Sequence, residues 1–195
     1  EGLGVKLTTD NDQLLRSLDK CNFTYLHAPL FGKGMKNVAP VRKAMEIPTL
    51  FNLLGPLINP CRPTYQLLGT ANLEQMRFYG SVNEKIGTKY GIVTSIDGYD
   101  EISLTGDFKL KTRRREEIFS PSDLGLPMVK PEDIYGGASK EEAFKIFLSV
   151  LDGTSSEAQK NDVIANSAFA INLVRPELSL ADCVAMARES LDSGA

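Results

Sequence analysis

The chain has 195 residues, 42% hydrophobic and 24% charged, with a formal net charge of −3 and no tryptophan. That length folds with roughly 70% of its surface buried, and the charge balance gives no long-range attraction for nucleic acid or anionic lipid. No apolar run approaches the roughly 20 residues of a membrane span, the opening residues carry no signal-peptide pattern, and Cys21, Cys61 and Cys183, in no CxxC pair, read as reduced thiols of a cytoplasmic protein.

In chain order, Thr8-Thr9-Asp10 suits the start of a helix with Leu14, Leu15 and Leu18 on one face. A short apolar piece, residues 23–30, follows. Pro40 fits the first turn of a short helix over residues 39–45 that carries Arg42. The apolar run 50–54 stops at Gly55-Pro56, and Asn59-Pro60 makes a second break, so a structured turn region is expected.

From there strand and helix alternate. Residues 65–69 read as a strand. Asn72 caps a helix with Leu73, Met76, Tyr79, Val82 and Ile86 inward, and Gly87 ends it. Residues 90–96 form a second strand, and this βαβ order predicts a parallel neighbour with a right-handed crossover. Residues 102–104, 108–111 and 116–119 are shorter strands, expected antiparallel and nearer an edge. Ser139 with Glu142 forms a capping box ahead of Ala143, Ile146, Phe147 and Val150. A long helix over 154–173 turns Val163, Ile164, Ala168 and Ile171 inward, and Ser179 with Asp182 opens a last one. The expected organisation is a helical approach segment, residues 1–64, and an α/β domain, residues 65–195, with a mixed, mostly parallel sheet and packed helices.

Asp97, Asp100 and Glu101 follow a buried strand, and ligands of α/β proteins collect at such carboxyl ends. Magnesium takes one or two carboxylates together with substrate phosphates and water. Read alone, DGYDE is a weak signal and reads first as a solvated turn around Asp97-Gly98. Arg42 has the planar, two-pronged guanidinium that grips a carboxylate, but read alone is first a surface helix arginine. Gly55-Pro56 ends a helix in any setting. His27, the sole histidine, excludes a His-based metal site and reads as a packing residue. The basic run Lys111 to Arg115, followed by Glu116-Glu117, reads as a solvated strand end beside a turn. No GxSxG, GxxxxGK[ST] or GxGxxG occurs, which leaves hydrolase-elbow, P-loop and dinucleotide readings unsupported.

HAPLF, MKNVAPVRK, FNLLGPLINP, YQLLG and DGYDEISLTGDF, in that order, resemble the C-terminal part of the anthranilate phosphoribosyltransferases. The resemblance runs over nearly the whole chain. It implies a nucleoside phosphorylase/phosphoribosyltransferase-like C-terminal domain, incomplete here, acting on 5-phosphoribosyl 1-diphosphate and anthranilate in a cytoplasmic protein that is a homodimer at full length. It implies Mg2+ held by Asp100 and Glu101, Arg42 on the anthranilate carboxylate, and Gly55 and Pro56 lining the acceptor pocket. No side chain is assigned as a catalytic acid or base.

The start at Glu1 without methionine, and the lack of the family's helical N-terminal region and Gly-Thr-Gly-Gly-Asp diphosphate loop, read as a C-terminal piece inactive by itself. Gly32, Lys33 and Gly34 stand where the family has His-Pro-Ala, and Pro48 where it has arginine. Those departures favour one alternative, a catalytically silent homologue with a binding or assembly role; a nucleoside phosphorylase relative, which would share the fold, is a further alternative.

Overall fold

Local capping chemistry sets most helix boundaries in the computed structural model, which describes residues 2, 4–32 and 53–194. The chain divides into two compact units, Glu1–Pro63 and Thr64–Ala195. In the first, the Asp10 carboxylate accepts from the backbone N–H of Asp12 and Gln13 and starts α1 (Asn11–Cys21). Asn22, in the left-handed region at φ 54°, ends it. Leu15 and Leu18 on its apolar stripe are exposed. Pro29 lies in the first turn of α2 (Ala28–Phe31), and the His27 ring just before it stacks on Tyr25 at 6.1 Å. Gly55–Leu57 is a single 3-10 turn. The helix expected over residues 39–45, with Arg42, lies outside the described residues.

The second unit is built on a four-stranded sheet in the order β1 (Tyr65–Gly69), β2 (Lys89–Ser95), β3 (Phe108–Thr112), β4 (Glu116–Phe119). β1 and β2 pair in parallel, with Gly69 opposite Val93, and α3 (Leu73–Ile86) makes the crossover. The β2–β3 and β3–β4 pairs are antiparallel. The sheet is therefore mixed, but parallel pairing is its minority mode rather than the majority expected. Thr112 closes the β3–β4 turn, its hydroxyl accepting from the N–H of Arg114 and Arg115. Glu116 takes Lys109 and Lys111, so the basic run is a braced, solvated hairpin end.

Three helices follow: α4 (Lys140–Leu151), α5 (Glu157–Val174) and α6 (Leu180–Ser193), capped by the hydroxyls of Ser139, Ser156 and Ser179. α5 packs on β1 and β2 and against α6. Val93, Leu110, Ile164, Ala168 and Phe169 form the centre of the core, where the Phe169 ring meets Phe108 and Phe119 edge-on at 5.4 and 5.3 Å. Strand alternation sends Tyr90 and Ile92 to the other face, against α3.

Two readings of the sequence change. α3 buries Met76, Tyr79, Gly80 and Asn83, while Leu73 and Ile86 are exposed, because the narrow gap to Tyr90 and Lys111 selects the helix arc that carries Gly80. Residues 102–104 are buried but form no strand. Leu104 sits in the left-handed region at φ 58°, which no ladder accommodates.

Candidate metal and substrate site

The loop over residues 96–107 leaves the carboxyl end of β2 and returns to β3. Ile96 N–H donates to the Asp107 carbonyl at 2.8 Å and holds its two ends together. Inside it, Gly98 at φ 103° makes the tight turn, donating to the Ser95 carbonyl, and Ser95 N–H donates to the Tyr99 carbonyl at 3.0 Å. The chain thus doubles back, and Asp100 and Glu101 arrive beside the end of β1. There the Asp100 carbonyl lies so close over Gly69 that a Cβ on Gly69 would overlap its oxygen. The Ser95 hydroxyl donates to the Glu101 carbonyl at 2.6 Å. Asp97 is engaged otherwise, accepting from the Thr105 hydroxyl as a brace across the loop.

The carboxylates here repel one another. Burial, and then the Asp100 charge, push the Glu101 carboxyl up, although part of that residue stays in solvent. Asp162 on α5 is pushed up to about 7 by burial and then by the Glu101 charge. Its Oδ1 is buried with no hydrogen-bond partner. Among the described residues no lysine or arginine forms an ion pair with any of the three. Nor do any three His, Cys, Asp or Glu side chains there stand close enough to hold a metal by themselves. Hard oxygen donors with no counter-cation among the described residues, and too few there to enclose an ion, fit magnesium, which fills its octahedron with water and substrate phosphate.

The Asp162 shift fixes a pH signature. Below pH 3.8 its carboxyl is protonated folded or unfolded and costs nothing; between there and about 7 only the unfolded chain has released the proton, so stability falls as pH rises. Above that the full cost stands, about 2 kcal/mol once partial solvent access is allowed for. Asp162→Asn is expected to raise the thermal midpoint at pH 8 and leave it nearly unchanged at pH 4; equal gains at both would contradict the assignment.

Of the residues singled out in the sequence, Asp100 and Glu101 come together on this loop. Gly55 and Pro56 sit in the 3-10 turn of the other unit, where a Cβ on Gly55 would meet nothing within 4 Å. Arg42 lies outside the described residues. Gly69, Ser95, Asp162 and Asn166 escaped the sequence reading. The first two end strands, where a glycine or hydroxyl next to a ligand loop is a usable signal; the last two, one helical turn apart in the apolar run of α5, offered none.

The βαβ unit thus presents the paired carboxylates at the carboxyl ends of its two parallel strands, where ligands of α/β proteins collect. The chain belongs to the glycosyl transferase family: the family's a/b-domain pattern matches residues 1–195. It is similar to the anthranilate phosphoribosyltransferase of Phocaeicola vulgatus, 51% identical over 191 residues, which covers 98% of this chain and 58% of that protein. Among solved structures it resembles anthranilate phosphoribosyltransferase from Thermus thermophilus, with 29% identity and a TM-score of 0.87 over 98% of this chain and 58% of that one. It also resembles the Saccharomyces cerevisiae enzyme in complex with PRPP and Mg, with 28% identity and a TM-score of 0.85 over 98% and 55%. The chain spans a little under three-fifths of the length of these relatives.

Proposed function

We propose that this chain works in the transfer of a phosphoribosyl group from 5-phosphoribosyl 1-diphosphate to the amine of anthranilate, giving N-(5-phosphoribosyl)anthranilate and diphosphate. The observation that carries it is the pair Asp100-Glu101, which no cation among the described residues neutralises, held at the carboxyl end of β2 by Gly69 and Ser95. The yeast relative bound to PRPP and Mg supports the same ligand class. Asp100 and Glu101 would hold magnesium, which when bound neutralises charge building on the departing diphosphate.

The anthranilate nitrogen forms the new bond to C1 of the sugar as the C1–O bond to diphosphate breaks, and the amine proton leaves to solvent. The amine is already a neutral nucleophile, so the protein's part is orientation rather than deprotonation. Arg42 grips the anthranilate carboxylate, and Gly55-Pro56 lines the pocket around the ring. The same reading carries a homodimer and a cytoplasmic setting.

Gly32 and the sequence departures at Lys33, Gly34 and Pro48 favour one rival, a silent homologue retained for binding or assembly. A chimera separates them: the 191 aligned residues of the Phocaeicola vulgatus enzyme are replaced by this chain. Diphosphate release that needs both substrates and Mg2+ is the expected result. A folded chimera that releases none points to the silent homologue, and phosphorolysis of thymidine by it points to a nucleoside phosphorylase.

A further inference from the structure

Three backbone groups around Glu101 are held from three different elements. The Asp100 carbonyl is seated on Gly69 of β1. The next peptide group, joining Glu101 to Ile102, is held at both poles: its carbonyl accepts from Ser95 Oγ of β2 at 2.6 Å, and its N–H donates to Asn166 Oδ1 of α5 at 3.1 Å. Asn166 Nδ2 then donates to the Ile102 carbonyl at 2.9 Å and to the Asp162 carbonyl at 2.9 Å. One side-chain amide therefore pairs with the N–H and C=O of a single residue, as a neighbouring strand would. That pairing serves the Ile102 backbone without a ladder, while the Ser103 N–H donates to Ser95 Oγ at 3.3 Å and the Leu104 carbonyl accepts from the Val129 N–H at 3.0 Å.

The two peptide planes that flank the Glu101 Cα are thus both immobilised, and two fixed planes fix the direction of the Cα–Cβ bond between them. Asn166 touches neither carboxylate. We propose that Asn166 is a positioning residue for the metal-binding pair: its amide aims the Glu101 carboxylate by locking the Glu101–Ile102 peptide. Partners of this kind, one step removed from the ligand, typically change metal affinity 10–100-fold when removed. The inference rests on the reading of Asp100-Glu101 as the metal pair.

The test uses the 195-residue chain and Mn2+ as the probe, followed by electron paramagnetic resonance, with hydrogen exchange at the Ile102 amide as a second readout. Asn166→Ala is expected to weaken Mn2+ binding about tenfold or more and to speed Ile102 exchange while the thermal transition stays cooperative. Asn166→Asp keeps the acceptor for the Ile102 N–H, and is expected to restore slow Ile102 exchange in part. Two failures are distinguishable. Wild-type chain that binds no Mn2+, or binds it equally after Asp100→Asn with Glu101→Gln, overturns the metal reading and this inference with it. Wild-type binding that Asp100→Asn with Glu101→Gln abolishes and Asn166→Ala leaves unchanged overturns the positioning role alone. Should Asn166→Ala fail to fold, Asn166→Ser, which leaves a smaller gap, serves in its place with the same outcomes.

Discussion

Gly69→Ala is expected to cost the Thr64–Ala195 unit about 3 kcal/mol, from one methyl group. The added carbon would overlap the Asp100 carbonyl oxygen far inside contact distance and lie 2.8 Å from that carbonyl carbon. Both are backbone atoms, so no rotamer change relieves the clash. Either the end of β1 moves, which strains its parallel pairing with β2, or residues 100–102 lift, which breaks the bonds from Ser95 and Asn166.

Two other glycines give the comparison its scale. A Cβ on Gly91 meets the tip of Leu67 at 3.1 Å, a flexible end that can turn aside. Gly87 meets nothing within 4 Å but sits at φ 79°, so alanine there pays only the left-handed penalty of about 1 kcal/mol. Urea unfolding should rank Gly69→Ala well below both. A Gly69→Ala loss within about 1 kcal/mol of Gly87→Ala would mean that the Asp100 carbonyl does not rest on β1.

The features legible in the sequence were those written in neighbouring residues. Asp10, Asn72, Ser139 and Ser179 each cap the helix they precede, because a cap needs only a side chain and the N–H groups two or three positions on. The β1–α3–β2 unit was legible from its alternation of apolar runs. The inward face of α3 was not, since periodicity identifies arcs without saying which meets the sheet; Gly80 and Asn83 took the place of Val82 and Ile86.

Residues 102–104 misled for a related reason. Ile102 and Leu104 are as buried as strand residues, and burial was the signal read. What replaces the ladder is Asn166 at Ile102, Ser95 at Ser103 and Val129 at Leu104, the first of them distant in sequence and reached only through the packing of α5 on the sheet. The same distance hid Asp162. The proposed metal pair was singled out through the resemblance of DGYDE to a family motif, whereas its backbone contacts and the electrostatics around it come from tertiary neighbours distant in sequence.

The double variant Asp100→Asn with Glu101→Gln should produce opposite changes in binding and in stability, and that combination separates a metal site from a solvated turn. Both substitutions keep shape and remove charge. Mn2+ affinity of the chain should fall by two orders of magnitude or more, and turnover of the chimera by a factor on the order of 10²–10⁴, because stabilisation of the leaving diphosphate is what the charges supply.

Stability should move the other way. In the metal-free chain burial and then the Asp100 charge raise the Glu101 carboxyl, and burial and then the Glu101 charge raise Asp162; neutralising the pair removes the repulsive part and lets Asp162 ionise at lower pH. The thermal midpoint at pH 8 should therefore rise, and the pH-dependent loss of stability should shrink. Saturating Mn2+ should raise the midpoint of the wild type and leave the variant unmoved. A site kept for holding an ion carries such strain when empty, whereas two carboxylates on an ordinary turn would show neither the gain nor the metal response. A variant that keeps its Mn2+ affinity, or that loses stability at pH 8, would remove Asp100 and Glu101 from the metal site.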